Sequence, residues 1–301
     1  MKVISEINKW GEFVKISHTV FALPFALASM MLAARANYGW PGFRIFILII
    51  LCMVMARSSA MAFNRIVDRK FDAANPRTRD RHLPSGRIHL SSAITMCVLT
   101  GVAFIATTWF INRLCFILSP VALVTIYFYS LTKRFTDYTH VFLGIALALA
   151  PLGAWLAVRG NWNIEPMESS ILIPLLMGLG VTLWLIGFDI IYATQDYEFD
   201  KEAGLKSKVV RFGVPTALNI AWAAHWIMWI CLLVLGLIAG LGFVYFSGMA
   251  LILGFMNYEH IVARKRSLDW VNLAFFKLNA LISLIYLASI LIEICLFVLM
   301  K

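Results

Sequence analysis

The chain has 301 residues, 61% of them hydrophobic and only 14% charged, with a mean hydropathy of +0.82. A soluble domain carries about 25% charged residues, so this composition excludes an ordinary soluble protein. The formal net charge of +10 suits a nucleic-acid partner in sign, but its placement along the chain points to membrane topology.

Blocks of about 20 apolar residues are long enough to cross a bilayer core of about 30 Å. Nine are predicted, at residues 16–36, 43–64, 91–111, 114–132, 138–158, 169–194, 215–238, 240–258 and 273–299. They must be helical, because lipid offers no partner for unpaired backbone groups. The first block does not read as a cleaved leader. A polar stretch through Lys15 precedes it, no small-residue cleavage site stands out, and eight more blocks follow. The expected fold class is therefore an all-α integral membrane bundle of nine transmembrane helices, forming one domain over 1–301.

At the exit of the second block stands Asn64-Arg65-Ile66-Val67-Asp68-Arg69-Lys70-Phe71-Asp72. Positions four apart share a helix face, so Asn64, Asp68 and Asp72 form one stripe. Arg57, seven residues before Asn64, extends it one layer deeper. The segment from Asn75 to Arg87 contains Pro76, Pro84 and Gly86 and is a loop. Its arginines at 77, 79, 81 and 87 are forked donors suited to phosphate oxygens.

The fourth block ends on Lys133-Arg134, just after Tyr127 and Tyr129. These cations anchor topology or serve a site, since an aromatic substrate bearing a carboxylate would want one of them. At the exit of the sixth block come Asp196 and Asp200, with Asp189 and Tyr192 upstream and Lys201, Gly204, Lys206 and Ser207 following. Asp68 and Asp196 are 128 residues apart, as are Asp72 and Asp200. An odd number of spans intervenes, so the two pairs face the same side. Carboxylate oxygens suit Mg²⁺, which shares its coordination with substrate phosphates. Two facing pairs could hold Mg²⁺ ions bridged by a diphosphate.

With the N-terminus cytoplasmic, 20 of the lysines and arginines fall on the cytoplasmic side and 5 on the other, with Arg57 inside a span. This is the positive-inside pattern, and it puts both acidic pairs at the cytoplasmic face of a plasma (inner) membrane. The five cysteines lie in apolar blocks without paired spacing and read as small buried hydrophobes. His18, His82 and His140 lack partners at ligand spacing and read as ordinary polar residues. No HExxH, Walker, GxSxG or GxGxxG signature is present.

The string Asn64 to Asp72, with Arg77-Thr78 and Leu83-Pro84-Ser85-Gly86, resembles the first motif of the UbiA superfamily of intramembrane aromatic prenyltransferases. Gly187 to Ala193 with Asp196, Asp200, Gly204, Lys206 and Ser207 resembles its second motif. Lys133-Arg134 matches the basic pair between the motifs, and the run from His18 to Leu27 resembles the first span. The resemblance covers nearly the whole chain and is strongest to bacterial 4-hydroxybenzoate polyprenyltransferases. One departure is Arg65, where many members carry Asp. That form resembles the branch of the futalosine route of menaquinone synthesis, whose acceptor is a carboxylated dihydroxynaphthalene.

The resemblance implies Mg²⁺-dependent transfer of a polyprenyl group from polyprenyl diphosphate to a hydroxyaromatic carboxylate, in ubiquinone or menaquinone biosynthesis. It implies Asp68, Asp72, Asp196 and Asp200 as metal ligands and Asn64 as the group orienting a bound water or oxygen. Arg57 and Lys206 would neutralise the leaving diphosphate, Arg134 would receive the acceptor's carboxylate, and Lys133, Asp189 and Tyr192 complete the substrate contacts. Membrane lipid is the other expected partner, and nucleic acid is not one. A transporter is the rival reading, since internal duplication and intramembrane charge suit transporters too, but it predicts broken helices at the midplane.

Overall fold

The structure is a computed structural model and describes residues 2–15, 19–163, 170–265 and 273–299. His18 falls outside the described residues. Every regular element among them is helical. In chain order these are α1 (Lys2–Phe13), α2 (Thr19–Ala33), α3 (Phe43–Ala74), α4 (Leu90–Trp109), α5 (Arg113–Thr132) and α6 (Thr139–Arg159). They continue with α7 (Leu172–Ala193), α8 (Tyr197–Glu202), α9 (Lys208–Ile238), α10 (Phe243–Ala263) and α11 (Asn279–Leu299).

Seven helical segments among the described residues are long and apolar enough to cross a membrane, where nine spans are expected. The two that fall short do so for separate reasons. The described part of the first block is a 15-residue helix, about 22 Å long at 1.5 Å per residue. Helix α10 has 21 residues, but its last turns carry Asn257, Glu259 and His260.

Elsewhere lipid-length helices run past the apolar layer. Helix α3 has 32 residues, about 48 Å of rise, so Asn64 to Asp72 occupy its final turns. The second motif is reached differently. A 3-10 turn at Thr194–Asp196 separates α7 from α8, so Tyr192, Asp196 and Asp200 do not form the single unbroken α-helical stripe that their spacing predicts.

Helix α7 packs between α6 and α9, α3 packs against α4, and α2 lies against α6 and α11. The core is a continuous apolar cluster that includes the fully buried Trp155, Trp184 and Tyr286. Leu99, Val102, Val121, Val124 and Leu237 remain exposed on the bundle's outside, as expected of lipid-facing positions. Helices in lipid gain little from hydrophobic contact with one another and approach closely where small residues allow it. At Gly144 of α6 a Cβ would stand 2.8 Å from the Thr182 carbonyl oxygen. At Gly187 of α7 it would stand 2.1 Å from His225 Nε2. These two contacts fix α7 between its neighbours just above the second motif.

A buried polar network staples the second half of the bundle. His225 Nε2 lies 2.9 Å from the Trp184 carbonyl, which can only accept, so that nitrogen carries the proton. His225 Nδ1 then accepts from His260 Nε2 at 2.9 Å. Asn279 donates to Glu259 at 2.6 Å. Nothing in the sequence pattern signals this network, because its members come from four different helices.

Candidate active site

Both motifs line one cavity of about 1510 Å³. From α3, Arg57, Asn64, Arg65, Asp68 and Asp72 face it; from α7 and α8 come Asp189, Tyr192, Asp196 and Asp200. Lys133 and Arg134 enter from the end of α5, and Asn8, Glu12 and Lys15 from α1 and its exit.

Two carboxylates a turn apart repel unless positive charge sits between them, and each of the four motif aspartates has its own cation. Asp68 Oδ1 is 3.2 Å from Arg134 Nη2, while its Oδ2 accepts from Asn64 at 3.0 Å. Asp72 Oδ1 is 2.7 Å from Arg81 Nη1, and its Oδ2 is 3.8 Å from Arg65 Nη1. Lys133 Nζ lies 3.9 Å from Asp200 Oδ2. Arg77 crosses from the first motif's loop to grip the second motif. Its Nε donates to Asp196 Oδ1 at 2.8 Å, its Nη2 reaches Asp196 Oδ2, and its Nη1 donates to the Tyr192 hydroxyl at 2.8 Å. Asn75 adds a hydrogen bond of 3.2 Å to Asp196.

These pairings show in the proton affinities of the basic groups outside the spans. Burial opposes charge on Arg77, but the bonds to Asp196 and the neighbouring Tyr192 outweigh it and raise its pKa. Burial likewise opposes charge on Lys133, and Asp200, Asp189, Asp196 and Asp68 together outweigh it. Lys15 moves the other way, lowered first by burial and then by Arg65, Arg81 and Arg77. It therefore gives up its proton more readily than an ordinary lysine until an anion enters.

The donor set fits a hard cation. The aspartate oxygens are ligands of the kind Mg²⁺ takes, and Asp72 Oδ2 is buried with no hydrogen-bond partner among the described residues. No three His, Cys, Asp or Glu side chains among those residues are arranged to hold a metal unaided. A bound ion would share its shell with oxygens of a ligand.

A second cavity, of about 500 Å³ and largely apolar, adjoins the first and shares lining residues with it. Cys52, Met53, Phe104, Cys115, Leu118 and Leu147 are among its walls, and Arg57, Met61, Tyr129, Leu143 and Asp189 line both spaces. Arg57 donates to the Lys15 carbonyl at 3.0 Å, and its Nε is buried without a partner among the described residues.

Lys206 is the site candidate that does not line the cavity: its ammonium lies 3.3 Å from the Phe135 carbonyl. Its backbone N–H donates to the Lys133 carbonyl at 2.8 Å, which ties the segment after α8 to the end of α5. Arg65 reaches Asp72 from within α3, and Arg77 and Arg81 reach Asp196 and Asp72 from the loop that follows. His140, which reads as an ordinary polar residue in sequence, stands 2.6 Å from Asp189.

The family model described as the UbiA prenyltransferase family matches residues 22–281. A 4-hydroxybenzoate octaprenyltransferase of Shewanella frigidimarina (strain NCIMB 400) is 25% identical over 286 residues, covering 89% of this chain and 91% of the relative. The apo structure of a UbiA homolog from Aeropyrum pernix K1 superposes with a TM-score of 0.81 at 29% identity, covering 92% of this chain and 98% of that one. A UbiA homolog from Archaeoglobus fulgidus bound to GPP and Mg²⁺ shares the fold, with a TM-score of 0.69 at 22% identity over 94% of this chain and 99% of its own. The chain thus belongs to the UbiA prenyltransferase family, as its resemblance to the aromatic prenyltransferases implies.

Proposed function

We propose that this enzyme transfers a polyprenyl group from polyprenyl diphosphate to a carboxylated hydroxyaromatic ring of the 4-hydroxybenzoate type, with Mg²⁺, in respiratory quinone biosynthesis. The observation that carries the reading is the adjacency of two unlike cavities with shared walls. A charged one with two cation-matched aspartate pairs suits a diphosphate, and the apolar one beside it suits an isoprenoid tail.

In this reading Asp68, Asp72, Asp196 and Asp200 hold the metal and Asn64 orients a ligand of it. Bound Mg²⁺ supplies positive charge to the leaving diphosphate. Arg57, with an unused Nε at the junction of the cavities, and Lys133 add to that charge where solvent is scarce and electrostatic stabilisation is strong. Arg134 takes the acceptor's carboxylate by releasing Asp68, and Tyr192 lines the acceptor space. Lys206 acts indirectly, by fixing the backbone around Lys133. Aromatic side chains shield the allylic cation through their π faces. The acceptor ring attacks that cation at a carbon ortho to a hydroxyl.

The topology that goes with this is nine spans, a cytoplasmic N-terminus and a site open to the cytoplasmic face of the plasma membrane. A dihydroxynaphthoate acceptor is the second reading. Arg65 favours it, being buried beside Asp72 at the position where the departure from the commoner motif falls. Washed membranes supplied with Mg²⁺, a prenyl diphosphate and each acid in turn would test the reading. Prenylated acid is expected; uptake of an anion without any covalent product would favour a transporter.

A further inference from the structure

Five cavity-lining carboxylates belong to the two motif-bearing segments, and four of them are ion-paired with a lysine or an arginine. Asp189 is paired instead with a histidine, its Oδ2 2.6 Å from His140 Nδ1, and acts on the Lys133 ammonium only at longer range. A carboxylate only accepts, so Nδ1 carries a proton and donates it to Asp189. His140 is almost wholly enclosed, with 1% of its side chain exposed, while 20% of Asp189's is exposed. His140 Nε2 has no hydrogen-bond partner among the described residues. Among the described residues the ring's hydrogen bond is thus with Asp189. Gly144, one turn along α6 from His140, brings this part of α6 close to α7. Asp189 itself lines both cavities, at the place where a donor's reacting carbon would lie between its diphosphate and its tail.

From this geometry we propose that His140 is a positioning residue that holds Asp189 as the proton acceptor for the prenylated ring. The proposal rests on the hydroxyaromatic acceptor reading. The donor's C–O bond breaks, with its electron pair leaving on the diphosphate. A ring electron pair forms the new C–C bond. The C–H bond at that carbon then breaks, its electrons restore the aromatic ring, and the proton passes to an Asp189 oxygen. No oxidant or reductant is needed. An imidazole suits this role better than arginine, because it aims the carboxylate through one hydrogen bond and leaves the second carboxylate oxygen without a forked donor.

The test compares His140→Leu, which fills the space without a donor, with His140→Asn, whose amide nitrogen can replace Nδ1. In purified protein with Mg²⁺, prenyl diphosphate and hydroxyaromatic acid, His140→Leu is expected to lower kcat about 100-fold, the usual cost of a misplaced catalytic group. The KM for prenyl diphosphate should stay as it is, and His140→Asn should recover most of kcat. Wild-type turnover in His140→Leu, equal impairment of both variants, or a loss confined to diphosphate KM would overturn the proposal. A second readout is independent of turnover. Nitrogen-15 histidine spectra should show a hydrogen-bonded Nδ1 proton that Asp189→Ala abolishes; a spectrum unmoved by that change overturns the pairing. If the unsubstituted protein prenylates no hydroxyaromatic acid, the acceptor reading falls first and takes this one with it. Transfer at full rate in His140→Leu sinks this one alone.

Discussion

Replacing Arg77 by lysine keeps the charge and removes the fork. Arg77 makes three hydrogen bonds across the cavity, two to the Asp196 carboxylate and one to the Tyr192 hydroxyl. A lysine ammonium in that space can satisfy one of them. Hydrogen bonds to charged groups contribute about 1.5–3 kcal/mol each, and the Arg77 side chain is 32% exposed, so the lower end applies. Two lost bonds then amount to about 3 kcal/mol, or about 100-fold at 1.4 kcal/mol per factor of ten. Arg77 ties the loop of the first motif to the second, so the loss should appear where the two motifs must act together. Steady-state prenyl transfer titrated with Mg²⁺ and with prenyl diphosphate is the assay. Arg77→Lys should lower kcat/KM for the diphosphate toward that limit, raise the Mg²⁺ needed for half-maximal rate, and lower the unfolding temperature, since the lost bonds belong to the unliganded protein. Wild-type kcat/KM and Mg²⁺ dependence in Arg77→Lys would refute the idea that this cross-motif clamp shapes the site.

Asp72→Asn removes the buried negative charge that Arg81 and Arg65 face and replaces one accepting oxygen with a donor; it should abolish measurable turnover while leaving Arg81 with a neutral partner, and product analysis of labelled donor checks it. Chelating Mg²⁺ with EDTA should stop turnover of the wild-type protein, and adding Mg²⁺ back should restore it. Cys52→Trp places an indole in the wall of the apolar cavity, so long-chain donors should lose far more kcat/KM than a ten-carbon donor, measured side by side. Gly187→Ala sets a methyl group within 2.1 Å of His225 Nε2. Such overpacking costs typically 1–3 kcal/mol, and a lowered unfolding temperature in detergent should report it.

Much of the site is legible in sequence because its code is local. Asn64, Asp68 and Asp72 follow helical spacing, and α3 continues straight through them. The 128-residue interval and the charge asymmetry bring both pairs to one side of the membrane, and they do share a cavity. What stays hidden is which side chain reaches across. Arg77 meets Asp196 over 119 residues and His140 meets Asp189 over 49, contacts set by helix packing that no periodicity records. The loop arginines were also masked by a second explanation, since topology alone accounts for basic residues there. The turn at Thr194–Asp196 breaks a stripe that spacing predicts as continuous, because a short 3-10 segment leaves no signature in the pattern of carboxylates. The buried His225, His260 and Glu259 group is likewise unreadable, since its members meet only once α7, α9, α10 and α11 have packed.

The most direct test of the account is the mass of the product. Purified protein in lipid would receive Mg²⁺, a polyprenyl diphosphate, and 4-hydroxybenzoate and a dihydroxynaphthoate in competition. The account predicts free diphosphate together with one prenylated hydroxyaromatic acid, and neither from Asp196→Asn. Folded protein that binds the donor but forms no prenylated ring with either acid would contradict it.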